Sequence, residues 1–229
     1  MLQKLKNYFS KTEILLWVSS FAAIAIVFFV FGEGEALTFV ASILGVTAII
    51  LNAKGNFIGQ CLMIVFSILY GIISYNFSYY GEMITYLGMT MPMAVFSLVT
   101  WLRHPYNGKR AEVRVNTLKR KEIVAMFILS IPVTVAFYFV LLHFNTANLI
   151  PSTISVSTSF IAVYLTFRRS PYFSVAYAAN DIILIVLWSL ASVTDIRFVC
   201  VTVCFAAFLA NDVYGFIGWR KLRRKQGEA

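Results

Sequence analysis

Charge is scarce in this chain: only 13% of its 229 residues are Asp, Glu, Lys or Arg. A soluble domain carries nearer a quarter, so a soluble globular plan is excluded. Histidine is almost missing. His104 lies in a basic loop and His143 at an outer helix end, too far apart for a metal pair. Cysteine is limited to Cys61, Cys200 and Cys204, all inside apolar runs. Their spacing fits neither a disulfide framework nor a zinc site, so they read as small core or lipid-facing residues. No nucleophile elbow, P-loop, dinucleotide fingerprint or kinase set is present. The expectation is therefore not an enzyme, with no cofactor and no metal.

What is abundant is hydrophobicity, at 60% of residues, with a mean hydropathy of +0.80. Apolar runs of about 18 residues or more recur, and each is long enough to cross a bilayer as a helix. Lipid demands that backbone polar groups be satisfied within the segment. The fold class is an all-α polytopic membrane protein. Eight spans are expected, near residues 14–31, 36–51, 57–76, 81–102, 122–142, 147–167, 172–191 and 196–219. The first follows Lys4, Lys6 and Lys11 and resembles a signal peptide, but Ile14 to Phe31 exceeds a 7–15 residue signal core. It reads as a retained helix.

The formal net charge is +9. In a soluble protein that would suggest nucleic acid; here the basic residues read as cytoplasmic anchors, and no nucleic-acid partner is expected. With the N-terminus inside, segments 1–13, 52–56, 103–121, 168–171 and 220–229 hold 18 of the 19 Lys and Arg residues. Only Arg197 falls outside, while Glu33, Glu35, Glu82 and Asp195 lie on the outer side. One wrong span would destroy this asymmetry, so both termini are expected in the cytoplasm.

The spans divide into an extra helix (1–35), a three-helix unit (36–102), a basic loop with a linker helix (103–146), a second three-helix unit (147–219) and a basic tail (220–229). Two three-helix units of one orientation need an odd number of linking helices. Parallel repeats of this kind are a transporter plan. Tyr70 and Trp101 recur as Trp188 and Trp219 at an offset of 118 residues.

The stretch NAKGNFIGQCLMIVFSILYGIISY, the pair AANDIILIVLW and LANDVYGFIGW, and the 3+1+3 plan resemble the PnuC family of nicotinamide riboside transporters over residues 36–220. The resemblance implies a fold like that of the SWEET sugar transporters. It implies a substrate site between the two three-helix units and facilitated uptake of a vitamin, trapped by cytosolic phosphorylation on the way to NAD. Relatives carry thiamine or riboflavin. Here Ile185 occupies the place, one turn before Trp188, of a second Trp found in some nicotinamide riboside carriers. A thiamine carrier, proton-coupled uptake through Asp181 or Asp212, and a membrane-embedded enzyme or receptor remain alternatives. The partners implied are a small-molecule substrate and the lipid bilayer; a homo-oligomer is compatible with this plan.

An ionisable residue inside a span is a functional hypothesis by default. Asp181, beside Asn180, falls mid-span. Seven residues nearly complete two turns, so Asp181 and Trp188 share a face about 10 Å apart. A planar cationic ring can stack on Trp188 while polar groups hold a ribose, and Trp188→Ala should weaken binding at least tenfold. Asn211, Asp212 and Tyr214 are expected in the lower cavity or as an inner gate, with Asp212 at a different depth from Asp181. Trp219 is expected in the aromatic belt at the headgroups. In the third span Gln60, Ser67 and Tyr70 form a polar stripe, and Phe66 is expected, on the resemblance, to oppose Trp188. In the fourth, Tyr86 and Thr90 lie near the midplane, beside flexible methionines and a Pro92 that is a candidate hinge. The run STISVSTSF, 152–160, reads as a small-residue packing surface.

Overall fold

The computed structural model describes residues 8–31 and 36–227. Lys4, Lys6, Glu33 and Glu35, placed above by charge, lie outside the described residues. Eight helices long and apolar enough to cross a membrane follow one another: α1 Lys11–Phe31, α2 Ala36–Ala53, α3 Phe57–Asn76, α4 Tyr80–Arg103, α5 Arg120–His143, α6 Leu149–Phe167, α7 Phe173–Ser192 and α8 Ile196–Lys225. The last begins with a 3-10 turn, Ile196–Phe198, capped by Asp195, whose side chain accepts from the Arg197 amide. The Arg197 guanidinium holds the Asp195 carboxyl below its usual range.

Six helices close into a ring. The α3 helix lies between α2 and α4, and α7 lies between α6 and α8; the halves meet where α8 packs on α2 and α4 on α6. Helix α5 lies against α6, and α1 against α8 and α2. Both outer helices are apolar all round and bury little: Glu13, Ser20 and Ile24 from α1, Met126 and Leu141 from α5. Such faces suit lipid. This is a helical membrane fold with an extra first helix and a 3+1+3 core.

The two halves turn in the same way. After α2, the amide of Gly55 reaches the Asn52 carbonyl (2.9 Å) and that of Asn56 reaches Leu51 (3.0 Å). After α6, Arg169 reaches Thr166 (2.9 Å) and Ser170 reaches Leu165 (3.0 Å). Each pair lies 114 residues from its counterpart. Gly55 and Arg169 both take the left-handed conformation, φ 67° and 56°, which closes a helix end by recapturing its last carbonyls. Asn56 then caps α3, its side chain accepting from the Ile58 amide.

Two local features depart from the sequence reading. Segment 103–121 is not only a loop. Pro105–Tyr106 and Lys109–Val113 form an antiparallel hairpin, β1 and β2, around Asn107-Gly108, both at positive φ. Asn-Gly is a strong two-residue hairpin signal because both residues tolerate that region. Within α4, Tyr86–Thr90 is a π-turn, and the amide of Met91 reaches back to the Tyr86 carbonyl. Pro92, the next residue, has no amide to donate, and the wide turn accommodates that loss.

Candidate functional site

The ring encloses a central cavity of about 30 Å³. Its walls are Asn52 and Ile49 from α2, Met63 and Phe66 from α3, and Tyr86 and Thr90 from the π-turn of α4. Ser159 of α6, Phe173, Tyr177, Asn180 and Asp181 of α7, and Phe205, Phe208 and Asp212 of α8 complete them. Among the described residues, no Lys, Arg or His lines it. The space admits one or two water-sized bodies, so a vitamin-sized solute enters only when the walls separate.

The two acids meet here. Helix α8 runs on through the basic tail to Lys225, which makes Asp212 the midpoint of Val199–Lys225. Asp181 lies near the middle of Phe173–Ser192. Both carboxyls line this one small cavity, from adjoining helices. The expected difference in depth is therefore corrected: it came from ending the last span at residue 219. At the matching offset of 118, the first half carries Met63 and Ala94, so the acids belong to one half only.

The other polar wall groups are partly held. Asn180 Oδ1 accepts from Thr158 Oγ1 (2.8 Å) and Ser159 Oγ (3.0 Å), which gives the hydroxyl run of α6 a bonding role beside its packing one. Asn52 Oδ1 accepts from Gln60 Nε2 (2.9 Å). Thr90 Oγ1 and Asp181 Oδ2 have no partner among the described residues, although both residues are buried. The aromatic side is compact: Phe66 lies 6.0 Å from Tyr86 and 5.4 Å from Phe208, ring centre to ring centre. Gly45 makes that possible, since a Cβ there would lie 2.3 Å from Phe208.

Of the residues singled out from the sequence, Phe66, Tyr86, Thr90, Asn180, Asp181 and Asp212 line this cavity. Gln60 supports Asn52 from behind. Ser67 donates to the Met63 carbonyl of its own helix (2.8 Å). Tyr70 stands a layer away, 5.7 Å from Phe66 and 6.2 Å from Trp188. Trp188 does not line the cavity. It is fully buried among Tyr79 (4.6 Å) and Phe198 (5.3 Å), with Tyr70 between it and Phe66, so the Phe66–Trp188 sandwich is absent. Asn211 and Tyr214 face α1: Asn211 Nδ2 donates to Ser20 Oγ (2.9 Å), and Tyr214 lies 3.3 Å from Ser10 Oγ. A helix presents Asn211 and Asp212 about 100° apart, so adjacent letters serve different neighbours.

One further placement is corrected. Trp219 is not a headgroup residue; it is fully buried, donates to the Asn52 carbonyl (2.7 Å) and packs on Trp101 (5.5 Å) and Phe173 (4.9 Å). Trp101 donates likewise to the Thr166 carbonyl (3.1 Å). Glu82, expected on the outer side of the membrane, is buried within the protein against Ser155 of α6 (3.4 Å). Sequence reasoning missed Asn52, Ser159 and Tyr177. Asn52 had a usable signal, since it is a polar residue in the last turn of an apolar span; the other two are common in membrane helices and carry none. The cysteines are free, and no group of metal-ligating residues occurs among the described residues.

The sequence family described as nicotinamide mononucleotide transporter matches residues 35–221. A curated relative, the nicotinamide riboside transporter PnuC of Neisseria mucosa, is 26% identical over 221 residues, covering 93% of this chain and 83% of that protein. A crystal structure of the vitamin B3 transporter PnuC superposes with a TM-score of 0.83 at 24% identity, over 95% of this chain and 94% of that one. These relatives are named as transporters, in agreement with a carrier rather than an enzyme. The eight membrane helices, the cavity at the centre of the six-helix ring and the family match over most of the length agree: this multi-pass membrane protein belongs to the nicotinamide mononucleotide transporter family.

Proposed function

We propose that the chain carries nicotinamide riboside across the plasma membrane by facilitated diffusion, with both termini in the cytoplasm. The observation that carries this reading is the lining of the central cavity: two carboxyls, aromatic walls and, among the described residues, no basic side chain. A pyridinium ring is flat and cationic, and aromatic faces and carboxylates both attract it. The family description names the mononucleotide. Its phosphate would add negative charge beside Asp181 and Asp212 with no cation to meet it, which favours the riboside of the curated relative's name. Phe66, Tyr86 and Tyr177 would flank the base, and Asn52, Thr90, Ser159 and Asn180 would hold the ribose hydroxyls.

A cavity of about 30 Å³ cannot admit such a solute without opening, which supports alternating access. Units 36–102 and 147–219 would tilt against each other around the ligand, with helix 1–35 and linker 103–146 outside the moving pair. Cytosolic phosphorylation would then trap the product. The test is counterflow in liposomes. Protein-containing vesicles loaded with unlabelled nicotinamide riboside should accumulate the labelled compound and ignore the labelled mononucleotide. The rate should not change when a proton gradient is imposed. Accumulation of the mononucleotide, or of thiamine alone, would overturn the substrate assignment.

A further inference from the structure

The basic end of the ring is closed by a piece of the linker. From the last residue of β2 onward, residues 113–116 run across both halves. The Val113 amide donates to the Gly55 carbonyl (2.9 Å), in the turn between α2 and α3. Three residues later the Asn116 amide donates to the Arg169 carbonyl (3.0 Å), and its side-chain amide to the Arg168 carbonyl (3.0 Å), in the turn between α6 and α7. Gly55 and Arg169 are the corresponding left-handed residues of the two matched turns. One short strand therefore grips the same carbonyl in each half.

Between these clips the strand is also tied to the end of α8. The Val115 amide donates to Gln226 Oε1 (2.8 Å), and Gln226 Nε2 donates back to the Val113 carbonyl (3.1 Å). Val113 and Val115 turn inward and are buried in one apolar cluster with Trp101 and Trp219. Under the strand, the two indoles make a second pair of crossed bonds. Trp219, from the second half, donates to Asn52 of the first; Trp101, from the first, donates to Thr166 of the second. Any tilt that opens the ring at this end must part Gly55 from Arg169 and Asn52 from Thr166. It must therefore break the indole bonds and release the strand from at least one turn.

Resting on the carrier reading above, we propose that residues 113–116 are a releasable latch that holds the basic end shut, and that the carrier opens to that side only when the latch lets go. A fixed structural brace would stay engaged throughout the cycle. The clip at Asn116 suits release: its amides bond the Arg168 and Arg169 carbonyls in a half-buried turn, where water can take over both partners. The strand belongs to neither three-helix unit, so it can leave one turn without unfolding a helix.

The test locks the latch. Cysteines are placed at both clips, Asn116→Cys with Arg168→Cys and Glu112→Cys with Lys54→Cys, which line one surface cleft, in protein carrying Cys61→Ser, Cys200→Ala and Cys204→Ala, and each pair is joined by a short bis-methanethiosulfonate. The bridged protein should bind nicotinamide riboside within threefold of its unbridged form by calorimetry, because the opposite end still opens. Its counterflow in liposomes should fall at least tenfold and return on reduction with dithiothreitol. Bridged protein that exchanges at the unbridged rate overturns the latch. Absence of exchange by the parent protein counts instead against the carrier reading, and a second measurement then decides the latch without transport. In Asn116→Ala, hydrogen exchange should speed up at least tenfold at the Val113 amide, on the other half of the ring. Unchanged protection of Val113 would mean that the clips act separately, which also overturns it.

Discussion

Replacing the cavity acids one at a time gives the sharpest check on the site. Asp212→Asn and Asp181→Asn each keep the side-chain size and one oxygen acceptor while removing a unit of potential charge. A cationic ring about 6 Å from one carboxylate, at an effective dielectric of about 20, gains roughly 2.8 kcal/mol. That is the ceiling for one charge. Both acids line one small cavity, so the remaining carboxyl still faces the ring and recovers about half. Each single variant should then lose about 1.4 kcal/mol, close to tenfold in affinity. The double variant should lose about a hundredfold. The assay is titration calorimetry with nicotinamide riboside, with its neutral dihydropyridine analogue as the control. The analogue has no ring charge, so it should bind the parent more weakly and respond to the substitutions by less than threefold. If the charged and neutral ligands lose affinity equally, the acids are bracing helices and not meeting a cation.

Other expectations follow from the same geometry. Phe66→Ala removes the ring at the centre of the aromatic wall, 6.0 Å from Tyr86 and 5.4 Å from Phe208, and should weaken binding tenfold or more; unchanged affinity would remove the base from that wall. Trp188→Phe should leave affinity within threefold but alter the exchange rate, because Trp188 packs on Tyr79 and Phe198 beyond the cavity; a tenfold loss of affinity would restore direct stacking. Trp219→Phe keeps the ring and loses the indole bond to Asn52, a net loss of about 1 kcal/mol. The melting temperature in detergent should fall by roughly 2–4 °C, and an unchanged value would show the cross-half bond to be idle.

The architecture was legible because a bilayer makes it so. Each span had to satisfy its own backbone, and the basic segments fell consistently at alternate connections, so eight helices and a 3+1+3 order could be read from the letters. Tyr70 and Trp101, which recur as Trp188 and Trp219, each pack against that counterpart, at 6.2 and 5.5 Å. The side-chain directions were harder. Gln60, Ser67 and Tyr70 share a helical stripe, yet that stripe meets Asn52, its own backbone and an aromatic layer rather than the cavity. Which way a stripe points depends on how neighbouring helices turn about their axes, and an apolar helix with no water-facing side carries little of that information. Trp219 was misplaced for a related reason: a Trp beside basic residues suits headgroups, and only the ring closure puts α8 against α2. The hairpin at Asn107-Gly108 was legible, but in a chain of apolar helices the short polar segment drew less attention than its charge.

The proposed site is the cavity between Phe66 and Asp181. A density map of the protein with nicotinamide riboside bound tests it most directly. The expected result is the pyridinium ring against Phe66 and Tyr86, a carboxylate of Asp181 or Asp212 facing it, and ribose hydroxyls on Asn180 and Thr90. Ligand density elsewhere, with those side chains arranged as they are without it, would contradict the proposed site.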